Sequence, residues 1–438
     1  MMKRLPFALL VLSLANTVQA QDIDKIITKP YVDGLIKTLS ADDMQGRGSF
    51  TPGIDKAAAF IEQQFKEIGL KPLKGEKSFR QSFPVFRMKP LSASVKLNNK
   101  DIAPENILIV GSSAAETNFD QGNGDGVIKL DPAKTLQMQL RELSRTKKRQ
   151  IILVDQKFSE DFRKMKAAPP RGVIVDEKNM KNPKASALVL LLTTDSIAST
   201  YTVNIKNSSE QLPLFNVAGM IPGKSKEKEL VVFSGHYDHL GITRPIGTDS
   251  IANGADDDAS GTTAMIALAK YYKALDNNER TLIFVAFTAE EIGGFGAKHF
   301  SGKLNPDDVV AMFNIEMIGK DSKFGKNTAF ITGYEKSDFG TILQKNLEGT
   351  PFTFHPDPYP TQRLFYRSDN ATLAALGVPA HTISTDMIDI DKLYHTVKDE
   401  YESLDVDNIL STIKGIAKAA ITIVKGTDTP TRIPKLVE

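Results

Sequence analysis

From Leu214 onward the chain repeats one rhythm, an apolar run, a polar loop and a helix, and that rhythm leaves few folds open. "ELVVFSGHYD" (229–238), "RTLIFVAFTA" (280–289) and "DVVAMFNIEMIG" (308–319) are largely continuous apolar runs that do not alternate with polar residues. Strands of this kind are buried on both faces, the condition of a parallel sheet covered by helices on either side. "SGTTAMIALAKYYKAL" (260–275) predicts one covering helix. "NTAFITG" (327–333), helices near 336–348 and 369–377, "PAHTIST" (379–385) and a helix near 404–425 extend the pattern. The fold class expected is α/β, with a mixed, mostly parallel central sheet and helices on both faces.

The N-terminal half has a different texture. Residues 54–68 place Ile54, Ala58, Ile61, Phe65 and Ile68 at helical spacing and stop at Gly69, which predicts a core-packing helix. Between 83 and 213 the chain breaks into short runs such as "NILIVGS", "QIILVDQ" and "ALVLLLT", with one helical stretch near 134–144. This predicts an inserted β-rich domain over 83–213, the remaining core being 21–82 and 214–438. The first twenty residues, with Lys3 and Arg4 before an apolar stretch and Val18-Gln19-Ala20 as a cleavage site, read as a signal peptide. An exported protein, periplasmic or secreted, is the expectation, and no later stretch is apolar for the length a membrane span needs. Cysteine is absent, so disulfides, thiolate ligands and thiol catalysis are excluded. The 55 basic and 53 acidic residues are well mixed, and "RTKKR" (145–149) is too short to mark a nucleic-acid surface.

In open α/β sheets ligands bind at the carboxyl ends of the strands. There the first strand carries His236 and Asp238, the second Glu290 and Glu291, the third Glu316. The loop "NGADDDASG" (253–261) adds Asp256, Asp257 and Asp258, and "LYHTVKD" adds Tyr394 and His395. All are nitrogen or oxygen donors, which suits Zn2+ or a similar divalent ion. Carboxylates gathered at several strand ends repel one another unless cations neutralise them. Asp238, two residues from His236 on an extended segment, is placed to hold that imidazole in its metal-binding tautomer.

The ordered set "SGHYDHLG", "NGADDDASG", "FTAEEIGGFGAKHF", "FNIEMIG" and "YHTVKDE" resembles the co-catalytic di-zinc metallopeptidase family that includes bacterial leucyl aminopeptidases, glutamate carboxypeptidase II and glutaminyl cyclase. The segment 44–73 is also similar to that family's N-terminal part, and the insert is similar in placement to a protease-associated domain. The resemblance implies a zinc exopeptidase fold with two Zn2+ per chain, Mn2+ or Co2+ being alternatives. It implies that His236 and Glu316 bind one ion, Glu291 and His395 the other, and Asp257 both. Glu290 would be the general base, Tyr394 would assist the oxyanion, and the Asp257–Asp258 peptide would be cis. The implied activity is an aminopeptidase acting on peptides. Two departures stand out. Glu316 occupies a position where the family most often has Asp, and Asn370 replaces a usual His.

Alternatives of the same fold are a glutaminyl cyclase-like acyltransferase and a dipeptidase or carboxypeptidase; a non-enzymatic receptor-like protein would be expected to lack ligands that this chain retains. The stretch between Glu316 and His395 is too short for the lid domain of the related carboxypeptidase and deacylase group. Of the six histidines, His239 is read as a loop or supporting residue whose register does not match a ligand. His299 is read as packing or a cap, His355 as surface and His381 as core. The sequence does not indicate an oligomeric state.

Overall fold

Two amphipathic helices lead into the fold of this computed structural model, which describes residues 22–169, 172–195 and 197–436. The expected signal peptide lies outside the described residues. Helix α1 (Lys29–Leu39) is capped by the Thr28 hydroxyl and buries Val32, Leu35, Ile36 and Leu39. Helix α2 (Pro52–Ile68) begins with a proline, whose missing amide costs nothing in the first turn, and ends at Gly69 in the left-handed conformation. Ile54, Ala58, Ile61 and Phe65 line its buried face, as their spacing predicts.

Strand β1 (Arg80–Leu97) then carries the chain away from the central core. The excursion contains β2 (Ile107–Val110), β3 (Val127–Lys129), α3 (Leu136–Ser144), β4 (Arg149–Val154), α4 (Ser159–Ala167) and β5 (Ala187–Leu192). Strand β6 (Tyr201–Ile221) brings the chain back. The four short strands form their own sheet in the order β2-β5-β4-β3. One face packs on Leu136, Leu140 and Phe162 and the other on Val95, Leu97 and Val203. Strands β1 and β6 pair from Arg80 beside Val217 to Leu97 beside Tyr201, with one bulge at Lys206/Asn207. They run through the expected boundaries at 83 and 213, because their alternating buried residues give the ladder no reason to stop there. Helix α4 is not among the expected elements. Phe162 is its sole buried residue, so it carries almost no periodic signal.

The rest of the chain builds the site's platform. In order come β7 (Lys226–His236), the hairpin β8 (Gly241–Ile246) and β9 (Asp249–Ala252), α5 (Gly261–Leu275), β10 (Arg280–Phe287) and α6 (Phe295–Lys303). Strands β11 (Val309–Ile315), β12 (Thr328–Ile331), β13 (Thr353–Pro356) and β14 (Ala380–Ser384) follow, and then helix α7 (Val406–Ala419). The main path of the large sheet is ordered β13-β12-β14-β11-β7-β10-β6-β1. Its centre, β10-β7-β11-β14, is parallel, whereas β12 and β6 pair antiparallel at either side. The sheet is mixed, with the parallel centre that the continuous apolar runs require; the expectation of a mostly parallel sheet fails outside that centre, where β6 and β1 and the short strands beside them pair antiparallel.

Phe233 on β7 stacks against Phe284 on β10 and Phe313 on β11, with ring centroids 5.4 and 4.8 Å apart. Replacing such a ring by alanine costs about 3–5 kcal/mol, so this layer fixes the spacing of the three strands whose ends carry the polar residues. Because these strands are parallel and in register, with His236 beside Phe287, their following loops converge on one edge. No helix among the described residues is long and apolar enough to cross a membrane.

Candidate metal centre

The loop from Asn253 to Ser260 crosses that edge, between β9 and α5. Gly254 has φ +56°, and a Cβ there would stand 2.5 Å from the His239 ring. At Gly261 a Cβ would lie 2.1 Å from the Ile315 carbonyl, so only glycine lets α5 start this close to β11. Asp256 and Asp258 frame the loop. The Asp258 carboxylate accepts from the amides of His236, Gly261 and Met317, at 3.0, 3.1 and 3.2 Å, tying the ends of β7 and β11 to the start of α5. Asp256 accepts from the Gly319 amide at 2.7 Å and faces Lys320 at 3.2 Å. The Asp257–Asp258 peptide is cis.

Asp257 stands between two groups of donors. Its Oδ1 lies 3.1 Å from His236 Nε2, and its Oδ2 lies 3.2 Å from His395 Nε2 and 3.7 Å from His239 Nδ1. His395 Nε2 is also 3.2 Å from Glu291 Oε2. His236, Asp257 and Glu316 gather donor atoms within 4.8 Å of one another, and so do His239, Asp257 and Glu291. Donors around a four-coordinate ion at about 2.0–2.2 Å sit about 3.3–3.6 Å apart, close to the 3.1–3.2 Å separations that link His236 to Asp257 and His395 to Asp257 and Glu291. Among the described residues the buried atoms His236 Nε2, Glu291 Oε1 and Glu316 Oε2 have no hydrogen-bond partner. Closeness without hydrogen-bond direction is what donors converging on a cation show, so these residues fit a divalent ion.

The electrostatics agree. Desolvation pushes the Glu290 and Asp258 carboxyls well above the ordinary range. Burial also opposes ionisation of Asp257, but His236, His239 and His395 hold its carboxyl well below that range. A pocket that crowds carboxylates in this way favours binding of positive charge.

The predicted residues converge, with one correction of role. The His236 Nδ1 contact is to the Asp238 backbone carbonyl, at 3.0 Å, while the Asp238 carboxylate is 3.8 Å away. That carboxylate accepts instead from the amides of Glu290 at 3.0 Å and Glu291 at 3.4 Å. Strand β7 ends at His236, so the alternation assumed for an extended segment no longer sets the direction of Asp238. Tyr394 stacks on His395 with centroids 3.9 Å apart. Asn370 replaces the usual His without loosening the loop, because its amide donates to the Phe365 and Ala380 carbonyls and accepts from Thr382.

Arg47 is the residue the sequence does not reveal. It is fully buried and donates to the carbonyls of Tyr237 (2.9 Å), Leu39 (2.7 Å), Gly254 (2.8 Å) and Asn253. One guanidinium thus fastens the loops before Asp238 and before Asp257 from behind. Its only sequence signal is its place in "MQGRGS", within the segment 44–73 that resembles the family's N-terminal part.

Residues 216–420 match Peptidase family M28. Leucine aminopeptidase 1 of Paracoccidioides brasiliensis (strain Pb18) is 26% identical over 234 residues, covering 50% of this chain and 58% of that protein. The match therefore spans little more than half the length of that relative. BSAP, a zinc aminopeptidase from Bacillus subtilis, shares the fold with a TM-score of 0.55 at 15% identity, over 91% of this chain and 95% of that one. The aminopeptidase from Aneurinibacillus sp. strain AM-1 does so with a TM-score of 0.53 at 18% identity, over 95% and 97%. At these identities the structural likeness is one of fold.

Proposed function

We propose, from the match of residues 216–420 to Peptidase family M28, that the chain is an exported zinc aminopeptidase that holds two ions per chain and removes N-terminal residues from peptides. The observation that carries this reading is Asp257, whose two oxygens face different imidazoles, His236 and His395. His236 and Glu316 would hold one ion, Glu291 and His395 the other, with Asp257 between them. When bound, the pair would supply Lewis acidity and lower the pKa of a shared water towards about 7.

The chain's own residues do the rest. Glu290, whose carboxyl is raised by desolvation, takes a proton at its carboxylate oxygen and returns it to the leaving amine. The Asp238 carboxylate fixes the backbone of Glu290 and Glu291, holding the base next to a ligand. Asp257, Glu290, Glu316 and Tyr394 line a cavity together with Met317, Phe330, Leu364 and Ile388, an apolar wall suited to an uncharged N-terminal side chain. A groove of about 400 Å³ adjoins the opposite side, lined by His239 and Glu291 and, from the inserted segment, by Arg87 and Ile174. It gives the rest of the peptide a path out. Export rests on the signal-peptide pattern of residues 1–20.

The test is aminoacyl-4-nitroanilide hydrolysis and zinc content of wild type and Glu290→Ala. Two ions per chain in both proteins, with activity reduced about 10³-fold or more in the variant, supports the reading. A folded wild type that binds no zinc overturns it.

A further inference from the structure

We infer that His239 is a third imidazole ligand of the centre, on the side of Asp257 that faces Glu291 and His395. This inference rests on the two-ion reading above. The His239 side chain is wholly buried, yet among the described residues neither ring nitrogen has a hydrogen-bond partner. A buried imidazole left so would lose its hydration with nothing in return, so its environment lacks a partner.

The position of that partner follows from the contacts. His239 Nδ1 stands 2.7 Å from Glu291 Oε1 and 3.7 Å from Asp257 Oδ2. The shorter separation is within hydrogen-bond range, but both atoms count as unpartnered, because the ring N–H direction misses the oxygen. His236 Nε2 shows the same signature against Asp257 Oδ1, close but not hydrogen-bonded. His239, Asp257 and Glu291 each bring a donor atom within 4.8 Å of the other two, a set that could hold one ion. His239 and His395 stand there with their rings 5.8 Å apart, edge to face.

The surroundings lock His239 in this pose. Its amide donates to the Arg47 carbonyl at 3.2 Å, it bridges to Gly48, and its ring lies where Gly254 has no side chain. The other buried or packed histidines are accounted for without an ion. His381 is hydrogen-bonded at both nitrogens, His299 stacks on Phe83 and His355 on Phe324. The centre is therefore lopsided. One side offers His236 with Glu316, and the other offers His239 and His395 with Glu291, so the second side fills first.

The experiment uses the full mature chain, stripped and reloaded with zinc. Stepwise affinities measured against a competing chelator, for wild type and for His239→Ala and His239→Asn, are read beside the imidazole count from zinc-edge X-ray absorption. The inference expects three imidazoles per chain in wild type and two in each variant. It also expects the tighter binding step to weaken tenfold or more, with the other step within threefold. The wild-type count needs no variant, so a variant that fails to fold leaves the test intact. Two bound ions with two imidazoles in wild type overturn the inference alone. A wild type that binds no zinc overturns it together with the two-ion reading.

Discussion

His236 and His381 are both buried, on strands of the same sheet, and they meet opposite fates. His381 lies on β14, where Nδ1 contacts the Thr332 carbonyl at 2.9 Å, Nε2 contacts the Ser337 hydroxyl at 2.8 Å, and the ring stacks on Phe339. Every polar atom it brings inside is answered by the protein. His236 ends β7, answers one nitrogen with the Asp238 carbonyl, and leaves the other unpartnered beside Asp257. Burial of a histidine therefore does not distinguish structure from chemistry; an unanswered nitrogen does.

That contrast can be broken most severely at Asp257. Asp257→Ala should lose bound zinc and reduce peptidase activity on the order of 10⁴-fold, since among the described residues Asp257 alone belongs to both groups of donors. Metal analysis and nitroanilide kinetics read the result, and a variant that keeps both ions removes Asp257 from the centre. Next in size is Arg47→Met, which strands the carbonyls of Tyr237, Leu39, Asn253 and Gly254. Urea unfolding should show a loss of about 3–5 kcal/mol. An unchanged midpoint would mean that the guanidinium does not hold the loops.

The satisfied histidine gives a pH test. Burial lowers the His381 pKa from 6.5 to about 4, so the folded protein favours the neutral ring. Its contribution is fully present above pH 6.5 and fades as pH falls towards 4, by about 3 kcal/mol in all. His381→Gln should flatten this part of the stability profile, measured by chemical unfolding from pH 4 to 7. Equal slopes in variant and wild type would contradict the assignment. The smallest effect belongs to Tyr394→Phe. If the hydroxyl assists the oxyanion, kcat falls about tenfold with KM little changed, and an unaltered kcat leaves Tyr394 as packing on His395.

These residues were not equally legible in the sequence. The strands β7, β10 and β11 announce themselves because burial on both faces leaves unbroken apolar runs, and the positions just after them are where an α/β sheet binds ligands. His236, Asp257, Glu290, Glu291, Glu316 and His395 are therefore found by position as much as by type. The sequence places Asp238 at the strand end but not against its partner, because the direction of a side chain beyond a strand's end depends on the turn. Register alone does not mark His239 as a ligand, yet beyond the end of β7 its Nδ1 stands 2.7 Å from Glu291 Oε1. Arg47 was invisible, because backbone carbonyls are its partners and no sequence pattern announces them. The hairpin β8–β9 and helix α4 lacked the periodicity that would have shown them.

The central claim is that Asp257 joins two cation sites at the carboxyl edge of the sheet. Anomalous scattering at the zinc edge, from crystals of the zinc-loaded protein, tests it most directly. The account predicts two peaks, one against His236 and Glu316 and one against Glu291 and His395, with a different oxygen of Asp257 on each. A single peak, or an Asp257 carboxylate turned away from both, would contradict it.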